Sequence, residues 1–134
     1  MSALVLVVDD YVYNVKLLEA LLRAERYEVV TAFGGEEALF QLDQFKPDIV
    51  LLDVMMPGVN GYEVCARIRQ DPETAHLPVV MVTALDKQSD RDMALAAGAD
   101  DFITKPVEVG VLFPMMRRLL EARSSQNQPS AKAS

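Results

Sequence analysis

The sequence contains few of the residues that form disulfide bonds in small secreted proteins or bind structural zinc. It contains one cysteine, Cys65, and one histidine, His76. A single cysteine excludes an internal disulfide bond and a zinc site of the CxxC type, and it favours a reducing compartment. His76 lies between Pro72 and Pro78 in a predicted loop, where a solvated side chain is expected. No catalytic role is assigned to it.

Positive charge and long apolar stretches are also scarce. Lysine and arginine number 13 against 20 acidic residues, which gives a formal net charge of -7. Because proteins bind nucleic acid by neutralising its phosphates, this balance argues against direct nucleic-acid contact. The first apolar run, 4–8, follows no basic leader segment and is far shorter than the roughly 20 residues that span a bilayer. We expect a cytoplasmic protein without membrane contact.

The rest of the composition fits one globular domain. The 134 residues are 51% hydrophobic, enough for a core of their own. Apolar runs alternate with segments of helical period, and the runs are apolar at nearly every position, which is typical of parallel strands buried on both faces. The pattern predicts a doubly wound α/β domain. Its strands are predicted at 4–8, 28–31, 48–52, 79–82 and 101–103, and its helices at 12–25, 35–45, beyond the loop 57–61, at 88–97 and in a last segment.

Two helices and the chain end carry further expectations. The second helix is predicted to pack inward through Ala38, Leu42 and Phe45. The last helix is predicted to pack inward through Leu112, Met115, Met116 and Leu119, and Pro114 predicts a kink or a late start. From residue 124 the composition turns to Ser, Gln, Asn, Pro, Ala and Lys, so we expect a domain over 1–123 and a flexible polar tail or linker over 124–134.

Polar side chains follow four of the predicted strands, at the point where each strand ends. Asp9 and Asp10 follow the first strand, Asp53 the third, Thr83 the fourth and Lys105 the fifth. The carboxyl ends of parallel strands meet at one edge of the sheet, where open α/β folds bind ligands. Helix capping is an alternative explanation for the first two aspartates, but it does not explain the third. The set predicts a functional site.

The residue types at this edge indicate phosphoryl transfer to an aspartate. Clustered carboxylates repel each other and call for a compensating cation. Mg²⁺ (or Mn²⁺) suits them, because it takes carboxylates such as Asp10 and Asp53, a carbonyl oxygen near Met55 and a phosphoryl oxygen. Lys105 and Thr83 then supply the ammonium and hydroxyl groups that stabilise the charge of a transferring phosphoryl group.

Four segments resemble a known family, the receiver domains of two-component response regulators. The segments LVVDD (6–10), DIVLLDVMMPGVNG (48–61), VTA (82–84) and TKPV (104–107) are similar to the site segments of that family in order and spacing, within a resemblance that covers about residues 3–123. The resemblance implies a flavodoxin-like (βα)5 fold with strand order 2-1-3-4-5. It also implies a signalling module that accepts a phosphoryl group from the phosphohistidine of a histidine kinase.

The same resemblance implies a role for each residue of the site. Asp53 is the phosphoacceptor and a metal ligand, Asp10 binds the metal directly, Asp9 binds it through water, and the backbone carbonyl of Met55 completes the protein's share of the coordination. Lys105 and the Thr83 hydroxyl contact the phosphoryl oxygens, and Lys105 and Pro106 are joined by a cis peptide bond.

A conformational switch is also implied by the resemblance. Phosphorylation draws the Thr83 hydroxyl inward, and the aromatic side chain of Phe102 follows. Many members of the family carry tyrosine where this chain has Phe102, so the packing change is expected without a tyrosine-specific contact. Met55 and Leu85 flank the site where other members often have polar residues. Because apolar groups cannot orient an attacking water, we expect slow self-dephosphorylation.

The partners follow from a narrower resemblance. The segments 53–65, 71–80 and 83–86 are most similar to the first receiver domain of PleD-type diguanylate cyclase regulators. The implied partners are a histidine kinase or phosphotransfer protein and an output domain or partner protein, with a diguanylate cyclase as one candidate. A phosphorylation-dependent homodimer stays open. So does a second function class, a small Mg²⁺-dependent aspartyl-phosphate hydrolase, although such enzymes usually carry an aspartate where this chain has Met55.

Overall fold

The protein alternates strands and helices throughout the described residues. A computed structural model describes residues 2–126. They form five strands and five helices: β1 (Leu4–Val8), α1 (Val12–Ala24), β2 (Glu28–Ala32), α2 (Gly35–Phe45), β3 (Ile49–Leu52), α3 (Gly61–Gln70), β4 (Val79–Thr83), α4 (Gln88–Ala96), β5 (Asp101–Thr104) and α5 (Val109–Gln126).

The strands form one parallel sheet in the order β2-β1-β3-β4-β5. This is the predicted flavodoxin-like topology, which is confirmed. Side chains alternate between the two faces of a strand. In β1, Leu6 and Val8 pack on one face with residues of α2, α3 and α4, whereas Val5 and Val7 pack on the other face with residues of α1 and α5. Each face of the sheet therefore has its own apolar core under its own helices.

Two backbone carbonyls of the edge strand β2 accept hydrogen bonds from side chains of the neighbouring helices. Its Ala32 carbonyl points to β1, where it accepts from the backbone N–H of Asp9. Alternation along the strand turns the carbonyls of Val29 and Thr31 to the opposite, open side. The first accepts from Arg23 of α1 at 3.2 Å and the second from Gln41 of α2 at 3.0 Å.

Several expectations differ from the structure in detail. Phe45 is 51% exposed and not in the core, because it is the last residue of α2 and Lys46 turns the chain away with a positive φ of 50°. Helix α5 begins at Val109 with Pro114 inside it, so it does not start late, and a kink at Pro114 stays a prediction. Asp48 precedes β3 instead of opening it, and its carboxylate accepts from the backbone N–H of Leu4 at 2.7 Å.

Other expectations hold within the described residues. Leu112 and Met116 are fully buried, with Met115 and Leu119 partly buried against the same core. The peptide bond between Lys105 and Pro106 is cis. Among residues 2–126, no helix has the length and apolar character needed to cross a bilayer. The predicted tail over 124–134 stays a prediction, because its residues 127–134 lie outside the described part of the chain.

Candidate functional site

Backbone hydrogen bonds that continue the sheet bring the strand ends together. The N–H of Asp9 donates to the carbonyl of Ala32 at 3.2 Å, and the N–H of Asp53 donates to the carbonyl of Val8 at 2.9 Å. The N–H of Lys105 donates to the carbonyl of Thr83 at 2.8 Å. Each functional residue is thus anchored by a rigid strand one step beyond its apolar run. These are the residues that the sequence predicted at this edge.

Three carboxylates and one ammonium group form the centre of the site. Ligand oxygens of Asp9, Asp10 and Asp53 all lie within 4.8 Å of one another. Asp9 and Asp53 are each only 5% exposed, whereas Asp10 is open to solvent. The Lys105 Nζ lies 2.5 Å from Asp9 Oδ2 and 3.5 Å from Asp53 Oδ2. One cation therefore faces two buried carboxylates, and the cluster keeps an excess of negative charge.

Asp9 is held by three donors besides its position on the sheet. Its Oδ1 accepts from the backbone N–H of Tyr11 at 2.9 Å, and its Oδ2 accepts from the side-chain amide of Asn14 at 3.3 Å as well as from Lys105. Asn14 was not predicted as a site residue. Its position in the first turn of α1, close after the two aspartates, is the signal that could have found it.

Asp53 combines burial with partial compensation. Burial raises the pKa of its carboxyl above the ordinary value, the Lys105 ammonium lowers this pKa, and the Asp9 carboxylate raises it again. The Thr83 hydroxyl and the backbone N–H of Met55 lower it by hydrogen bonding, the latter donating to Oδ1 at 3.4 Å. The ionised carboxylate is thus unfavourable in the fold by itself, and added positive charge at the site stabilises it.

The loop after Asp53 is fixed by a capped helix that approaches closely. Asn60 and Glu63 form a reciprocal capping box at the start of α3, with bonds of 3.0 and 3.3 Å. Gly61 donates its N–H to the Val54 carbonyl at 3.0 Å, and a Cβ at Gly61 would collide with the carbonyl oxygen of Asp53. Gly61 was not predicted as a residue that shapes the site, although an Asn-Gly pair before a helix marks such a turn.

The two residues of the predicted switch lie on adjacent strands. Thr83 is fully buried, and its Oγ1 accepts from the backbone N–H of Leu85 at 3.4 Å. Phe102, also buried, lies on β5 beside β4. The guanidinium of Arg91 stands over the ring of Phe102 at 4.9 Å from its centroid, a cation–π contact that the sequence did not indicate.

The chemistry of this donor set fits a hard divalent cation. Its ligand atoms are carboxylate oxygens, two of which belong to buried side chains with only one lysine between them. Hard cations such as Mg²⁺ and Ca²⁺ take oxygen ligands of this kind, and Mg²⁺ commonly uses only one or two carboxylates and keeps several waters. The exposed position of Asp10 leaves one side of the cluster open to water and to an incoming ligand.

Comparison with known sequences identifies relatives along most of the chain. Residues 5–117 match the family model described as response regulator receiver domain. The response regulator PleD of Caulobacter vibrioides is 54% identical over 119 residues, which is 89% of this chain and 26% of that protein. The phosphate regulon transcriptional regulatory protein PhoB of Rhizobium meliloti is 43% identical over 114 residues, 85% of this chain and 50% of that protein. The chain thus spans a quarter to a half of these relatives.

Solved structures give the same result for the fold. The BeF3-activated N-terminal receiver domain of Klebsiella pneumoniae RstA superposes with a TM-score of 0.81 at 32% identity, covering 87% of this chain and 97% of that one. Chemotaxis protein CheY4 of Vibrio cholerae superposes with a TM-score of 0.84 at 28% identity, covering 89% and 99%. By sequence and by fold, the chain belongs to the receiver domains of two-component response regulators.

Proposed function

We propose that this receiver domain takes a phosphoryl group onto Asp53 and passes the signal on by a change in conformation. The observation that carries the proposal is the convergence of Asp9, Asp10 and Asp53 around Lys105 at one edge of the sheet. Asp53 follows β3, the middle strand of the sheet. Its Oδ1 accepts a hydrogen bond from the amide of Met55, and its Oδ2 faces the lysine.

The remaining groups assist this transfer. Mg²⁺, or Mn²⁺, held by Asp10, Asp53, the Met55 carbonyl and, through water, Asp9 would supply the positive charge that lets an anionic phosphoryl donor approach three carboxylates. Lys105 is near enough to Asp53 to release Asp9 and contact a phosphoryl oxygen on Asp53 instead. The Thr83 hydroxyl lies close enough to the Asp53 carboxyl to lower its pKa, and it would donate to the phosphoryl group as well.

The signal then passes through packing. Movement of Thr83 toward a phosphoryl group leaves space beside β5, and Phe102 is the aromatic side chain positioned to fill it. The domain catalyses only its own phosphorylation and dephosphorylation. The donor is a histidine kinase or phosphotransfer protein, and the recipient of the signal is an output domain or partner protein. The similarity to PleD supports a diguanylate cyclase as that output, and a homodimer that forms on phosphorylation remains a candidate response.

A small aspartyl-phosphate hydrolase is not favoured. The family match over residues 5–117 is to receiver domains. The general acid of such hydrolases usually lies two residues after the nucleophile, and Met55 occupies that position with a side chain that cannot transfer a proton.

Phosphorylation of Asp53 is tested by incubating the protein with acetyl phosphate and Mg²⁺ and weighing it intact. The wild type is expected to gain the mass of one phosphoryl group, and Asp53→Asn is expected to gain none, because an amide cannot attack phosphorus as a carboxylate does. Asp43→Asn, the same change at an exposed carboxylate on α2, serves as the control and should be phosphorylated normally. Equal mass gains in the wild type and Asp53→Asn would falsify the assignment. Molecular size measured on the same samples tests dimerisation.

The lifetime of the phosphoryl group is expected to depend on Met55 and Leu85. These apolar side chains line the cleft beside the site and offer no acceptor for an attacking water. The double variant Met55→Asn, Leu85→Glu is expected to lose its phosphoryl group about tenfold faster, because a positioned carboxylate can orient and activate that water. Decay of the phosphorylated mass after removal of the donor measures the rate. A wild-type lifetime no longer than that of the double variant would contradict this explanation.

A further inference from the structure

The exposed methionines of the described residues gather in one place. Met55 is 62% exposed and Met93 is 53% exposed, whereas Met56, Met81 and Met116 are buried. Both exposed thioethers line a single open cleft of about 670 Å³ between the loop that follows β3 and helix α4. Oxidants react first with methionines whose thioether groups are exposed to solvent. This cleft therefore holds the two most exposed thioethers of residues 2–126.

The cleft borders the residue that accepts the phosphoryl group. Met55 is two residues from Asp53, and its N–H donates to the carboxylate. Leu85 is two residues from Thr83, and its N–H donates to that hydroxyl. The two hydrogen bonds fix the backbone on both sides of the site, and Met55 and Leu85 line the same cleft. A water molecule next to Asp53 therefore finds a hydrogen-bond acceptor on the side chain of residue 55 only if that side chain is polar.

We propose that Met55 is a site of reversible oxidation by peroxide, and that its sulfoxide shortens the lifetime of the phosphoryl group on Asp53. In this step hydrogen peroxide transfers one oxygen atom to the Met55 sulfur, a new S–O bond forms, the O–O bond breaks, and water leaves. The sulfur loses two electrons and the peroxide gains them. A methionine sulfoxide reductase reverses the change. The effect on lifetime rests on the proposed function.

The sulfoxide supplies what the thioether lacks. A thioether sulfur is a weak hydrogen-bond acceptor, whereas a sulfoxide oxygen is polar and accepts strongly. At Met55 that oxygen can hold a water molecule beside the phosphoryl group, as an asparagine at this position would. One added hydrogen bond to the attacking water corresponds to an increase in dephosphorylation rate of about fivefold.

Other oxidisable groups do not compete with Met55 for this effect. Cys65 is fully buried in the core, and burial raises the pKa of its thiol to about 11, so little reactive thiolate forms. Met93 is exposed in the same cleft but lies on α4, away from the backbone that hydrogen-bonds to Asp53. It therefore provides a matched control for oxidation without an effect on lifetime.

The experiment compares phosphoryl lifetimes before and after peroxide treatment. The protein is treated with hydrogen peroxide, freed of it, checked by peptide mass for sulfoxide at Met55, and phosphorylated with acetyl phosphate and Mg²⁺. Lifetimes of oxidised and untreated protein are then compared within each variant. Wild type and Met93→Leu are expected to show the roughly fivefold shortening, and Met55→Leu, which has no sulfur at that position, is expected to show none. Treatment with the reductase should restore the wild-type lifetime.

Two results would overturn the proposal. One is an unchanged lifetime in wild-type protein whose Met55 is fully oxidised, and the other is an equal shortening in Met55→Leu. Met55→Gln, which carries a permanent amide oxygen, extends the test without peroxide and should shorten the lifetime as the sulfoxide does. A failure of untreated wild-type protein to accept a phosphoryl group would be a different outcome, because it refutes the proposed function itself.

Discussion

Replacing Lys105 by methionine is expected to lower the free energy of unfolding by about 2 kcal/mol at neutral pH in metal-free buffer. The substitution keeps most of the aliphatic chain and removes the ammonium that lies 2.5 Å from Asp9 and 3.5 Å from Asp53. Two buried carboxylates then have no cation between them. The exposed side of the cluster at Asp10 limits the loss, because water can partly solvate the charges.

The dependence of this loss on pH and on metal follows from the charges. Burial already raises the pKa of Asp53 in the fold. Its contribution to stability is therefore fully present below the ordinary carboxyl pKa and is lost as the pH rises through the raised folded value. Removing Lys105 strengthens this trend, so the difference between variant and wild type should shrink as the pH falls toward the ordinary carboxyl pKa. Mg²⁺ should stabilise the variant more than the wild type.

Urea unfolding with and without Mg²⁺, at neutral and acidic pH, measures these differences. Lys16→Met, which removes the same charge from an exposed position on α1, is the control and should change stability by less than about 0.5 kcal/mol. A loss in Lys105→Met that grows on acidification would contradict the electrostatic explanation, as would equal loss in the two variants.

Replacing Gly61 by alanine is expected to cost about 3 kcal/mol of stability and to displace the phosphoacceptor. An added Cβ would collide with the Asp53 carbonyl oxygen and with the Val54 Cα. Both are backbone atoms next to the site, so no flexible side chain can move aside. Any folded fraction should accept phosphoryl groups more slowly, because relief of the collision changes the position of Asp53 relative to Lys105.

The matched control for this change is Gly110→Ala. Gly110 lies in helix α5, and a Cβ there meets nothing within 4 Å. Because alanine is the better helix former, this variant is expected to gain up to about 1 kcal/mol. Chemical denaturation of both variants gives the comparison. A Gly61→Ala variant as stable as the wild type would contradict this prediction, because the start of α3 would then have space for a Cβ.

The sequence determines the fold here because its strands are almost entirely apolar. A run such as Ile49–Leu52, buried at every position, has no amphipathic alternative and must lie in the middle of a sheet. Strands β2 and β4 each extend one residue beyond their predicted ends. Thr83 and Ala32 belong to strands because their carbonyls accept from Lys105 and Asp9, and such pairing depends on a neighbouring strand that local sequence does not reveal.

The sequence predicted which residues lie at the site, but it did not predict which of them contact each other. Strand ends specify that Asp9, Asp53 and Lys105 converge, but not that Lys105 lies nearer Asp9 than Asp53. Long-range side-chain contacts were equally hidden. Arg69 donates to the carbonyl of Gly98 and to the carboxylate of Asp100, about thirty positions away along the chain, and no local pattern predicts such a contact.

The occupied acceptors of β2 have a consequence for how copies of the protein meet. A sheet edge with free carbonyl and amide groups can pair with a strand of another molecule and begin ordered aggregation. Here Arg23 and Gln41 already donate to the carbonyls of Val29 and Thr31 on the open side of that strand. An incoming strand would first have to displace both donors, so the two flanking helices protect this edge from strand exchange and fibre growth at high concentration.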